Sequence, residues 1–215
     1  MEYKKKYPRL YFLSFDDSVA AINGFWNSSY IIPKKTISWD KALFYFSKTN
    51  IDYDYVWYIE DDVYVPSKES LINLDLQYGE DVDLLCSSYA LNDEGDVELD
   101  GWVHWNEHDN KVQKPWARGL QCICRMSKRL MNKIDEFVTE HKKLVFIELL
   151  FTSLARRHEM TVAMPLEFAE VDCCRGLDVN TIDPNKIHHP IKDSKDQEMV
   201  RKRLELPAIQ DIDES

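Results

Sequence analysis

Apolar residues in this chain form short solid runs that alternate with segments where they recur every three or four positions. That pattern predicts buried strands interleaved with amphipathic helices. Arg9 to Phe15 (RLYFLSF) reads as a first buried strand, closed by Asp16 and Asp17. From Ser38 the run SWDKALFYFSKTN puts Trp39, Ala42, Leu43 and Phe46 at helical spacing. A serine cap and Asp40 in the first turn suit the positive end of that helix. Asp54 to Ile59 (DYVWYI) is a strand rich in aromatic and β-branched residues, and it runs straight into Glu60, Asp61 and Asp62.

Beyond Val63-Tyr64-Val65-Pro66 the spacing predicts a serine-capped helix over about 68–77 and a strand from Val82 to Tyr89. The stretch from about 90 to 118 is polar and aromatic and reads as a long functional loop. A strand from Gly119 to Met126 then leads into a Ser127-capped helix reaching about 141. A second helix covers about 146–158, a short strand runs from Thr161 to Pro165, and a last helix spans about 193–205. Strands alternating with helices predict an α/β sandwich with a mostly parallel central sheet covered by helices on both faces. The length fits a single domain over 1–215, with the acidic segment 206–215 as a tail or a linker to a further domain of a longer polypeptide.

Composition narrows the function. A hydrophobic share of 44% supplies a sizeable core, which argues against global disorder. No apolar run approaches the roughly 18 residues needed to span a bilayer, and MEYKKKYPRLYFLSF lacks a signal-peptide core and cleavage site. A cytoplasmic protein without a membrane span is expected. The five cysteines (Cys86, Cys122, Cys124, Cys173 and Cys174) are odd in number and contain no CxxC pair, so free thiols in a reducing compartment are expected. A net charge of −11 argues against nucleic acid as the main partner, since a phosphate backbone requires clustered Lys and Arg.

The acidic triplet carries the chemistry. Open α/β sheets bind ligands at the carboxyl ends of their strands, so Glu60, Asp61 and Asp62 should lie at that edge. Adjacent carboxylates repel unless a cation neutralises them, and hard oxygen ligands suit Mn²⁺ or Mg²⁺, which also grip diphosphate oxygens. With six glycines and no GxG, the chain has neither a Walker loop nor a dinucleotide fingerprint. A nucleotide diphosphate would need a cation for its neutralisation. His104 and His108 flank Glu107, but Trp105 stands where HExxH requires glutamate, which excludes that zinc motif.

Tyr58-Ile59-Glu60-Asp61-Asp62-Val63 resembles the DxD-type signature of GT-A fold glycosyltransferases in an EDD variant. The resemblance covers about 9–192, anchored by the acidic strand end and by the late His188-His189-Pro190. Small domains of this type also resemble glycosyltransferases of large DNA algal viruses, which would place the chain in a host cytoplasm. The resemblance implies a GT-A (Rossmann-like nucleotide-diphospho-sugar transferase) fold and a metal-dependent transfer of a sugar, from a UDP-sugar donor to an acceptor hydroxyl such as one on a glycan. It implies Asp62 as metal ligand, Glu60 as a metal or ribose contact, and Asp61 beside them. His188 or His189 would supply an imidazole to the metal and Lys192 a diphosphate contact. Phe15, Asp16, Trp39, Asp40 and Lys41 would flank the nucleotide pocket.

Glu148, an acid in the otherwise apolar start of a helix, is a candidate general base, because burial raises a carboxylate's pKa. Inverting members of the resembled family carry an acidic base on a helix at a comparable point. This chain has no complete GxxED-type acceptor motif, so the assignment rests on position. Trp102, His104, Trp105 and Trp116 offer flat faces for sugar C–H groups, with Arg118 adding a polar contact. Two other classes share parts of the pattern. A nucleotidyltransferase would share the acidic metal site but bring a glycine- and lysine-rich loop that is missing here. A non-catalytic carbohydrate-binding protein would use the same aromatics and bind free sugar.

Overall fold

A computed structural model describes residues 13–14, 16–27, 35–48, 51–172, 178 and 180–204. The N-terminal strand expected over Arg9–Phe15 lies largely outside the described residues, as do Phe15 itself, Cys173, Cys174 and the segment 206–215.

The helices are α1 (Asp17–Ile22), α2 (Ser38–Lys48), α3 (Lys68–Tyr78), α4 (Lys128–His141), α5 (Ile147–Arg157) and α6 (Ser194–Arg203). The strands are β1 (Tyr55–Ile59), β2 (Leu84–Asn92), β3 (Trp116–Ser127), β4 (Val162–Ala163), β5 (Glu170–Val171) and β6 (His188–His189). Two serine caps expected from the sequence are made. Ser67 accepts from Ser70 N at 3.3 Å, and Ser127 from Leu130 N at 3.1 Å, each satisfying an otherwise orphaned N–H of a first turn. At α2 the arrangement differs: Ser38 is already helical, and the buried carboxylate of Asp40 takes the N–H groups of Ile37 (2.8 Å) and Asn27 (3.2 Å).

Four strands form one mixed sheet in the order β1-β3-β2-β4. The expectation of a mostly parallel sheet is corrected: β3 is antiparallel to both β1 and β2, and only the β2–β4 pairing is parallel. The β1-α3-β2 crossover does leave β1 and β2 pointing the same way, but one strand apart. β3 returns through the 93–115 loop as a long hairpin, with Asn92 opposite Trp116, and fills the gap in the opposite direction. Alternation of helices and strands does not encode that reversal.

Helices cover both faces. On one, Val56, Tyr58, Leu84, Cys86, Cys124 and Met126 pack with the buried sides of α2, α4 and α5. On the other, Leu85 and Ile123 meet Leu74 of α3 and Phe168. No helix among the described residues is long and apolar enough to cross a membrane.

This topology brings three chain segments to one sheet edge: the residues following β1, the 93–115 loop following β2, and the N-terminal end of β3. α5 lies tightly over the last of these. Thr152 Oγ1 and Ser153 Oγ both donate to the Ala117 carbonyl (2.7 and 3.1 Å). Gly119 permits the approach, since a Cβ there would stand 2.9 Å from both Thr152 Cγ2 and Cys86 Sγ. Glu148 is one turn before Thr152, and its carbonyl accepts from Thr152 Oγ1 at 2.9 Å, so the helix's first turn hangs over the sheet edge.

Candidate metal and donor site

Glu60 follows β1 directly, and its N–H donates to the Cys122 carbonyl at 2.9 Å, extending the ladder by one step. Its carboxylate is held by side chains from three separate elements. Trp39 Nε1 donates to Oε1 at 2.6 Å, His189 Nε2 is 3.5 Å from Oε2, and the Cys122 thiol donates to the same group. The His189 contact is the main cause that holds the Glu60 carboxyl below the usual range, against the opposing effect of burial and with help from Trp39 and Cys122. Asp62 Oδ1 lies 3.2 Å from His189 Nε2. Asp61 is exposed and lines the adjoining cleft.

His189 arrives from far along the chain by backbone pairing. Tyr64 N donates to His188 O at 2.8 Å, His188 N returns to Tyr64 O at 3.1 Å, and Ile191 N donates to Asp62 O at 2.7 Å. The third hydrophobic cluster, Tyr64 with Ile182, Ile191 and Val200 of α6, anchors this junction. Neighbouring strand residues face opposite ways, and the two histidines divide accordingly. His189 faces the carboxylates, whereas His188 Nε2 contacts the Asp183 carbonyl at 2.8 Å. His189 Nδ1 meets the Asp172 carbonyl, which fixes a proton on Nδ1 and directs Nε2 at the acids. Burial works against protonation of His189, but Glu60, the Asp172 carbonyl and Asp62 outweigh it and raise its pKa.

Glu148 interacts electrostatically with the same cluster. Burial first, and the charge of Glu60 second, push its pKa up to about 7, against the opposing influence of Arg118 and His189. Arg118 places two guanidinium N–H groups on Asp100 Oδ2 (2.9 and 3.2 Å) and lies 5.4 Å from the centre of the Trp102 ring. Asp100 is held in the left-handed region at φ 52°.

The aromatics expected to form a sugar-facing wall divide in two. Trp105 is fully buried with its N–H on the Leu99 carbonyl (2.9 Å), and Trp116 is buried with its N–H on the Val112 carbonyl (2.9 Å). Both anchor the loop. Trp102 and His104 remain partly exposed: Trp102 stands edge-on to Trp105, and His104 stacks on Phe146 with ring centres 4.1 Å apart.

On the other side of Glu60, a cleft of about 560 Å³ runs between α2 and the end of β1, bounded by Ser38, Trp39, Ala42, Ile59, Glu60 and Asp61. It continues through Ser38 and Ala42 into a second hollow of about 370 Å³ beside Lys41, Tyr45 and Leu13. Trp39 stacks on Tyr58 with centres 5.3 Å apart, forming the cleft's apolar wall. The remaining nucleotide-pocket candidates act locally. Asp40 is buried in its backbone bonds, Asp16 caps α1 by accepting from Ser18 N (2.8 Å), and Lys41 pairs with Asp17 (2.9 Å). Lys192 is exposed beside the His189 segment.

The donor set suits a divalent cation. Among the described residues, Glu60, Cys122 and His189 bring ligand atoms within 4.8 Å of one another, Asp62 Oδ1 flanks His189 Nε2 at 3.2 Å, and the imidazole's second nitrogen is fixed by a carbonyl, as is usual for ligating histidines. The sequence reading did not single out Cys122 or Asp100 for this site. Cys122 is brought to Glu60 only by the β1–β3 register, and Asp100 only by the loop's left-handed turn.

Comparison with protein-family models, curated proteins and solved structures finds no match to this chain.

Proposed function

We propose that the chain is a metal-dependent glycosyltransferase that moves a sugar from a nucleotide-diphosphate donor, a UDP-sugar, to an acceptor hydroxyl. The observation that carries this reading is the meeting of Glu60 and Asp62 with His189 beside Glu148, whose pKa is raised to about 7. An acidic cation site next to a carboxyl group poised near neutrality supplies the two functions that glycosyl transfer needs.

Asp62, Glu60 and His189 would hold Mn²⁺ or Mg²⁺. Such an ion, when bound, neutralises the donor diphosphate and offsets the charge on the leaving group. Trp39 fixes the Glu60 carboxylate and walls the cleft along α2, which accommodates the nucleoside. Arg118, paired with Asp100, exerts its charge on Glu148, and Lys192 is exposed three residues beyond His189. Glu148 accepts the proton of the acceptor hydroxyl as its oxygen attacks the anomeric carbon, the bond from that carbon to phosphate oxygen breaks, and the nucleoside diphosphate departs. Direct attack inverts the anomeric configuration. Trp102 and His104 offer the exposed aromatic faces for the sugars.

Thermal shift with UDP, GDP, CMP, nucleoside triphosphates and free sugars, each with and without Mn²⁺, tests the reading. Stabilisation by UDP that requires Mn²⁺ is expected. Stabilisation by free sugar alone would assign a carbohydrate-binding protein, and a preference for nucleoside triphosphates a nucleotidyltransferase.

A further inference from the structure

Cys122 is the one group at the site whose chemistry a hard-ion reading leaves unused. Its side chain is 7% exposed and is turned to the same acids as His189. One carboxylate oxygen of Glu60, Cys122 Sγ and one ring nitrogen of His189 lie within 4.8 Å of one another. Ligands bound at roughly 2.0–2.3 Å around a tetrahedral ion are about 3.3–3.8 Å apart, so closure by about 1 Å completes a coordination shell. The Glu60 side chain is 34% exposed, and such a movement would lengthen its hydrogen bond from Trp39 Nε1. Asp62 Oδ1 flanks His189 Nε2 at 3.2 Å but lies outside that three-residue group.

We propose that Cys122, His189 and Glu60 form a sulfur–nitrogen–oxygen site for a thiophilic divalent ion, zinc or cadmium, which competes with Mn²⁺ for the same position. The inference rests on the metal-site reading above and deepens it by naming which ions contend for the site. A thiolate and an imidazole select zinc over manganese both by softness and by the general order of divalent affinities. Binding breaks the S–H bond, forms sulfur–metal and nitrogen–metal bonds, and releases to solvent the thiol proton and any proton on His189 Nε2, with no change in oxidation state.

The test titrates Cd²⁺ into the full chain and follows the ultraviolet sulfur-to-cadmium charge-transfer band. Mn²⁺-dependent UDP affinity is measured in parallel by calorimetry. The band should saturate at one equivalent in the unaltered chain and in the C173S/C174S variant, and excess Mn²⁺ should suppress it. Cys122→Ala should lower the Cd²⁺ affinity by at least about 100-fold. A band that is missing from the unaltered chain, that resists excess Mn²⁺, that vanishes in C173S/C174S, or that persists unchanged in Cys122→Ala overturns the inference. The unaltered-chain arms hold whether or not Cys122→Ala folds. UDP affinity without a cadmium band sinks the thiolate site alone. A Cys122-dependent band without Mn²⁺-dependent UDP affinity upholds the thiolate site and sinks the glycosyltransferase reading.

Discussion

Trp39 Nε1 donates to Glu60 Oε1 at 2.6 Å, while the same indole stacks on Tyr58, two residues before Glu60 on β1. One side chain of α2 therefore sets the rotamer of the first acid and forms the wall of the cleft beside it. Trp39→Phe keeps most of the ring stack and deletes the hydrogen bond. The fold should persist by circular dichroism, and Mn²⁺-dependent UDP affinity should fall about 10- to 100-fold by calorimetry, as loss of a ligand-orienting contact does.

Glu148→Gln should separate activity from stability. Transfer should fall about 10²- to 10⁴-fold with the loss of the base, while UDP affinity stays close to that of the unaltered chain. The Glu148 pKa is raised from 4.5 to about 7 in the folded chain. Its contribution to stability is therefore complete below pH 4.5 and is lost as pH rises through 7. At pH 8 the glutamine variant should be the more stable, by up to about 3 kcal/mol, with no difference near pH 4. Thermal melts across that range check the sign. In the unaltered chain, the proposed transfer should rise with pH as Glu148 ionises. A bound cation should move that limb to lower pH, since a nearby positive charge favours the carboxylate.

Gly119→Ala tests how α5 is seated. The added Cβ would stand 2.9 Å from Thr152 Cγ2 and Cys86 Sγ, so the helix that carries Glu148 must shift outward. Urea denaturation should show a loss of about 1–3 kcal/mol. The turnover number should fall more than UDP affinity, because Glu148 moves and the metal ligands do not.

Asp40→Ala should destabilise by about 2–3 kcal/mol, since it removes the carboxylate that accepts from the N–H groups of Asn27 and Ile37. Burial raises the Asp40 pKa to about 6. The uncharged Asp40→Asn retains an acceptor and should lose less. Equal losses in the two variants by denaturant titration would argue against the backbone-anchoring role.

Much of the frame was legible in the sequence because local signals set it. The serines at 67 and 127 cap the helices that follow them, and the aromatic, β-branched run of β1 ends at Ile59, directly before Glu60. What the sequence hid depends on pairing between distant segments. The reversed direction of β3 follows from where the 93–115 loop returns, and it alone brings Cys122 to Glu60. The choice between His188 and His189 lies in a two-residue strand, too short to show any periodicity. For Trp105 and Trp116 the sequence leaves a sugar-facing wall and a hydrophobic anchor equally open, and the carbonyl partners their N–H groups find within the loop bury the rings as anchors.

A divalent ion held by Glu60, Asp62 and His189 against a diphosphate would be seen by anomalous diffraction at the manganese edge, from crystals grown with Mn²⁺ and UDP. One peak is expected within bonding distance of Asp62 and His189 and of UDP phosphate oxygens, absent in Asp62→Ala. UDP bound with no anomalous peak at these residues, or a peak unaffected by Asp62→Ala, would rule the proposed metal site out.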